Sequence, residues 1–172
     1  MNFGADIPFV NHLGFVLELF EGGQSKISYT PKPEHLNFFA VTHGGVVMTL
    51  MDVTMAAAAR SVQQDMKVVT IEMKTSFMKP APGDGSKLTC QGRLIHRTTT
   101  LAFTDAMLYD AQGNICAHAT GTFKFVKAIA TRLKSTSSLS QADTSADQNA
   151  VSQACTDQAR LKRSETPQKA VL

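Results

Sequence analysis

Tryptophan is missing from this 172-residue chain, and cysteine is scarce. The three cysteines, Cys90, Cys116 and Cys155, cannot pair into a disulfide framework and show no C-x-x-C spacing. That excludes a zinc knuckle and a thioredoxin-type redox site. No run of about 18 uncharged apolar residues occurs, so no membrane-spanning helix is expected. The opening stretch, MNFGADIPFV, has no basic segment followed by a long apolar one, so no secretory signal is expected there. These absences leave a reducing, cytoplasmic setting as the expectation. P-loop and G-x-G-x-x-G patterns are missing too. His12, His35, His96 and His118 show neither H-x-H nor H-x-x-x-H spacing, and no acid cluster accompanies them, so no metal is expected.

Charge and aromatic residues divide the chain in two. All twelve aromatics, ten Phe and two Tyr, lie at or before Phe125. Residues 1–126 carry 10 basic and 10 acidic side chains, while residues 127–172 carry 7 and 4, which accounts for the net +3. A neutral domain has no general electrostatic attraction for nucleic acid, and no such partner is expected. Residues 127–172 are rich in Ser, Thr, Gln, Asp and Ala and bury too little apolar surface to offset ordering, so they read as a polar, disordered tail. Ala150 to Arg163 has the composition of a transient helix, with a short basic patch at Arg160, Lys162 and Arg163.

Residues 1–126 show strand patterns around one unusual helix. Leu13–Phe20 and Ser25–Thr30 flank Glu21-Gly22-Gly23, a hairpin pattern. Val69, Ile71, Met73 and Phe77 alternate with Thr70, Glu72, Lys74 and Ser76, which predicts a strand with those four largely on one face. The segment Pro80 to Gly85 ends it. Leu88–His96, Leu101–Tyr109 and Ile115–Val126 follow as three more strands. Short connections favour antiparallel neighbours. From His43-Gly44-Gly45 to Arg60 the composition is helical and apolar on every side, over about 24 Å at 1.5 Å per residue. A helix apolar all round is buried all round. It is too short for a bilayer, so protein encloses it. The expected fold is α+β: a curved antiparallel sheet of about six strands wrapped around one central helix. Dimerisation is the natural cover for any helix surface the sheet leaves open.

Asp52 is the sharpest chemical signal. It sits mid-helix between Met51 and Val53, with no basic residue three or four positions away. An ionised carboxylate there is costly unless hydrogen-bonded, so it reads either as a catalytic group or as an acid facing a solvent seam or capping a loop. His43-Gly44-Gly45 opens the same helix. Unpaired N–H groups and the positive end of the helix dipole lie there, and glycine lets a ligand approach the backbone closely. The pair permits a carbonyl-polarising site, or merely a tight turn into the helix. Gly45 and Asp52 are separated by about 700° of rotation and about 10 Å of rise. They share a face but stand too far apart to act on one bond. Two helices paired antiparallel across a dimer bring Gly45 of one chain to Asp52 of the other.

Together, LNFFAVTHGGVVMTLMDVTMAAAA, VVTIEMKTSFMKPAPGDG and the closing strand AHATGTFKF resemble the hotdog-fold acyl-CoA thioesterases of the PaaI-like, phenylacetate-degradation type. The resemblance covers about residues 12–126. It implies thioester hydrolysis with Asp52 as nucleophile or general base and the Gly45 amide on the carbonyl. It further implies Asn37 positioning carbonyl or water, and Thr70 as the hydroxyl residue where some members carry serine. His43 then orients the loop or contacts substrate, beside Gly44. Coenzyme A arrives as part of the substrate, with no cofactor, and its phosphates need cations. Lys79, Arg93 and Arg97 are candidates, or are simply solvated charges; Arg93 and Arg97, four apart in a period-2 strand, are expected on one face. A homodimer, or the dimer of dimers that the family implies, completes the expectation. Two other readings stay open: a hydratase or dehydratase on this fold using His43 with Asp52, and a non-catalytic acyl-CoA binding or sensing module.

Overall fold

A computed structural model describes residues 6–127, and the expected tail lies outside the described residues. A short helix α1, Pro8–Leu13, precedes the hairpin of β1 (Val16–Glu21) and β2 (Gln24–Tyr29). Gly22 and Gly23 form its two-residue turn with φ of 57° and 82°. Two consecutive positive φ angles match the twist of the flanking strands, and glycine adopts them without penalty. A 3₁₀ turn at Pro33–His35 and an irregular loop lead into α2, Gly44–Arg60. Then come β3 (Met66–Phe77), β4 (Leu88–Arg97), β5 (Leu101–Tyr109) and β6 (Ile115–Lys127).

The six strands form one antiparallel sheet in the order β1-β2-β4-β5-β6-β3. The expected sheet and helix are present, but one pairing differs from the simplest expectation. β3 pairs with β6, not with β4, its successor in sequence. The connection through Pro80 to Gly85 carries the chain across the sheet, leaving β3 as a twelve-residue edge strand.

α2 lies against the concave face. Leu50, Met51, Met55, Ala58 and Ala59 are fully buried there. Helix and sheet are joined where Ser25 Oγ donates to the Thr54 carbonyl at 2.6 Å. A Cβ at Gly92 would lie 2.9 Å from Thr54 Cγ2, so only glycine leaves room for that contact. Among the described residues no helix is long and apolar enough to cross a membrane.

Two β-bulges overturn the expected strand faces. The β3–β6 register slips between Thr70 and Glu72, so Ile71 is the extra residue. A one-residue insertion reverses side-chain parity. Val68, Thr70, Met73 and Thr75 therefore share the concave side, opposite Phe125, Phe123, Gly121 and Ala119. Val69 and Ile71 turn outward, 46% and 58% exposed, instead of joining Met73. A second slip between Leu94 and His96 separates Arg93 from Arg97. Arg93 stands opposite Asp105 and Arg97 opposite fully buried Ala102, so the two arginines lie on opposite faces, contrary to expectation.

Candidate active site

The first turn of α2 is capped by its own motif histidine. His43 Nδ1 accepts the Gly45 N–H at 2.9 Å, and its carbonyl accepts the N–H groups of Val46 and Val47. Accepting at Nδ1 places the proton of the neutral ring on Nε2. The His43 N–H is itself held by the His35 carbonyl at 2.9 Å. Gly45, expected to polarise a carbonyl, thus has its N–H occupied. The amide left open at this helix terminus is that of Gly44, one residue earlier. It is half-buried beside the Phe77 ring.

Asn37 holds the loop that leads to this terminus. Its Oδ1 accepts from Phe39 N–H at 2.9 Å and Val41 N–H at 3.4 Å. The backbone closes the same loop through Asn37 N–H to the Val41 carbonyl and Ala40 N–H to the Asn37 carbonyl. With Oδ1 so engaged, the Nδ2 donors remain for a ligand. The loop rests on the Pro80–Gly83 segment. Thr42 donates its N–H to the Ala81 carbonyl and its Oγ1 to the Pro82 carbonyl. A Cβ on Gly83 would stand 2.4 Å from the Ala40 carbonyl oxygen. Thr42 and Gly83 are positioning elements that the sequence reading missed. Asn37, Gly44, Phe77 and Lys79 line a cleft of about 420 Å³ at this end of the helix.

Asp52 lies in a different cleft. Halfway along α2 it is half-buried, and Thr70 Oγ1 donates to its Oδ1 at 2.8 Å. Met48, Val53, Ala56, Val68 and Met73 line it beside the cations Arg60 and Lys67, in a volume of about 610 Å³. Burial pushes the Asp52 carboxyl above the ordinary carboxylate value, and the Thr70 hydrogen bond opposes that rise. Thr49, one turn away, spends its hydroxyl on the Gly45 carbonyl at 2.9 Å. The structure thus joins Asp52 to Thr70, and Gly44 to Asn37 and Lys79, but keeps the two groups apart. Eight residues of helix separate Gly44 from Asp52, about 12 Å of rise.

The three candidate cations have partners of their own. Lys79 Nζ lies 2.8 Å from Asp110 Oδ2, which pulls the carboxyl below its usual range and raises the lysine. Arg93 makes a two-pronged contact with Asp105, at 2.9 and 2.8 Å, in a third cleft away from Asp52 and Gly44. Arg97 lies over the Phe125 ring at 5.7 Å. Cys90 and Cys116 are buried free thiols. Among the described residues no group of three or more His, Cys, Asp or Glu is placed to hold a metal ion.

Residues 39–117 match the Thioesterase superfamily. A protein of Saccharolobus solfataricus named "Putative esterase" is 30% identical over 113 residues, covering 66% of this chain and 74% of that protein. Among solved structures, the Escherichia coli PaaI protein from the phenylacetic acid degradation operon superposes with a TM-score of 0.66 at 21% identity, over 70% of this chain and 86% of that one. A Streptococcus mutans protein solved bound to acetyl CoA gives 0.61 at 24% identity, over 66% and 90%. These superpositions show the hotdog fold. The chain belongs to the thioesterase superfamily.

Proposed function

We propose that the protein hydrolyses acyl-CoA thioesters at sites built from two protomers, Asp52 and Thr70 from one and Gly44 and Asn37 from the other. One observation carries this reading. A half-buried carboxylate with a raised pKa and an open helix-terminal amide are the two halves of an acyl-transfer site, yet they occupy separate clefts of one chain. A second copy with its α2 antiparallel brings the halves together. The β3 edge favours such pairing, since a long strand with an unpaired edge and outward Val69 and Ile71 is a template for another strand. The likeness to a protein solved with acetyl CoA supports a thioester substrate.

The chemistry follows from the groups themselves. The Gly44 N–H donates to the thioester oxygen as it becomes an oxyanion. Thr70 occupies Asp52 Oδ1, leaving Oδ2 to act. That oxygen either adds to the carbonyl carbon, giving an enzyme-bound anhydride that water then opens, or takes a proton from the water that adds. In both routes the C–S bond breaks, the coenzyme A thiolate gains a proton, and the acid is released. Water and the side chains supply every step, without a further cofactor. Asn37 Nδ2 steadies the carbonyl or the water, and His43 sets the first turn of the helix. Of the three cations, Lys79 is the one that lines the Gly44 cleft, and we assign it to the phosphates.

Thiol release from a panel of acyl-CoAs, with wild type and Asp52→Asn in parallel, tests the reading. Release by wild type and a loss of at least ~10²-fold in the variant fit removal of a principal base or nucleophile. Binding of coenzyme A without release from any thioester would leave a binding module instead.

A further inference from the structure

Phe38 and Phe39 stand out on the described surface, 96% and 77% exposed, with their rings packed edge to face at 5.5 Å. Exposed aromatics commonly sit on mobile loops, where they can fold back. These cannot. Asn37 ties both ends of the loop, Thr42 pins it to the Pro80–Gly83 segment, and the Ala40 carbonyl rests against Gly83 so closely that no Cβ would fit. Ala40 itself is held at φ 56°, a conformation that non-glycine residues adopt at a cost. The sequence thus holds a large apolar side chain rigidly in solvent. Such an arrangement reduces the entropy lost on binding and marks a pre-organised contact.

The identity of its partner follows from where the loop is attached. Asn37–Val41 joins directly to the 42–44 turn that presents the open Gly44 amide, so Phe38 and that amide move as one piece. In the two-protomer reading, on which this inference rests, that piece enters the Asp52 cleft of the second chain. That cleft has its own uncovered apolar side chains: Phe9 at 60% and Met48 at 42% exposure, beside Phe20, Val53 and Ala56. We propose that Phe38 of each protomer docks against the Phe9–Met48 wall of its partner's Asp52 cleft, anchoring the dimer and closing the apolar side of the partner's site. The occupant of the cleft wall is therefore a second copy of this chain. Phe38 is a positioning and specificity residue acting in trans, and an acyl group seated in the cleft ends against it.

Phe38→Ser tests this without disturbing the core, since the side chain buries nothing in its own chain. Sedimentation should show dimer association weakened at least roughly 30-fold, the size of a hot-spot truncation. Circular dichroism should be unchanged, and hydrolysis of hexanoyl-, decanoyl- and phenylacetyl-CoA should fall at protein concentrations where wild type is still dimeric. Mixing Phe38→Ser with Asp52→Asn, at a concentration where Phe38→Ser alone is mostly monomeric, should then restore activity that neither shows alone, because the mixed dimer keeps one Phe38 contact and one of its sites has Asp52 from the first chain and Phe38 from the second. A Phe38→Ser dimer as tight and as active as wild type on every substrate overturns this inference and leaves the two-protomer site standing. A loss that mixing does not repair places Phe38 in its own chain's site and overturns it too. A fully active wild-type monomer overturns the reading beneath it.

Discussion

Thr70 Oγ1 donates a 2.8 Å hydrogen bond to Asp52 Oδ1, joining a mid-helix carboxylate to the edge strand eighteen residues later. The bulge at Ile71 shapes this contact. It lets Thr70 and Met73 point to the same side of β3 although their spacing is odd. The contact engages one carboxylate oxygen, Oδ1, and the reaction proposed above uses the other.

Thr70→Val should therefore change the pH profile and not only the rate. Burial raises the Asp52 pKa, and the hydrogen bond to its charged form opposes that. The acid limb of kcat/KM is thus expected to be raised from the ordinary carboxylate value in wild type and to move further up in the variant. At the plateau the rate falls about tenfold, the equivalent of ~1.4 kcal/mol of lost positioning. An unmoved acid limb would detach Thr70 from the base.

Gly44 and Gly45 should respond in opposite ways. Proline is welcome at the first position of a helix, and the extended His43 at φ −58° and ψ 136° suits a following proline. Gly44→Pro therefore keeps α2 but deletes the open N–H, and kcat should drop about 10²–10³-fold with Tm held. In Gly45→Ala the new Cβ meets His43 Nδ1 at 3.1 Å, and most of the activity should survive. The reverse ranking in steady-state kinetics would return the polarising role to Gly45.

Gly83→Ala should damage a site it never touches. The added methyl meets the Ala40 carbonyl oxygen at 2.4 Å and Leu36 Cδ2 at 2.7 Å, so the Asn37–Val41 loop has to move. Overpacking of this kind costs about 1–3 kcal/mol, and an ångström of displacement at a reacting group costs about 10²-fold in rate. Thermal denaturation and kcat should fall together, with the acid limb set by Asp52 unchanged.

Asp52→Asn should stabilise the protein while disabling it. A carboxyl whose folded pKa is raised binds more protons folded than unfolded, so its favourable contribution is complete at low pH and is lost as pH rises through the folded pKa. At neutral pH the ionised group is a cost, which the amide removes. The variant's Tm should exceed that of wild type at pH 7, and the difference should vanish below the ordinary carboxylate pKa. Equal melting at neutral pH would show that the assembled site solvates the charge fully.

Much of this was legible in the sequence because the strongest signals were local. The all-apolar stretch after His43 marked α2 to its observed ends, Gly44 and Arg60, and the lone acid within it marked Asp52. The hairpin turn and the later strand patterns marked the sheet. The bulges were hidden: Val69, Ile71 and Met73 alternate as a regular strand, and only the pairing with β6 shows that Ile71 is extra. The capping of Gly45 by the His43 ring was not legible, because a motif does not show which amide its own side chain occupies. α1 was overlooked although Pro8 opens it and Gly14, at φ 77°, closes it. The expected pairing of β4 with β3 failed because strand order depends on a crossover, which spacing does not encode.

In the dimer proposed here, each site takes Asp52 from one chain and the Gly44 amide from the other. Mixing purified Asp52→Asn with Gly44→Pro, each inactive alone, and following thiol release as subunits exchange tests it most directly. One site of every mixed dimer is then intact, so activity should grow with the fraction of mixed dimer. Mixed dimers that form but stay inactive would place both groups on one chain and contradict the account.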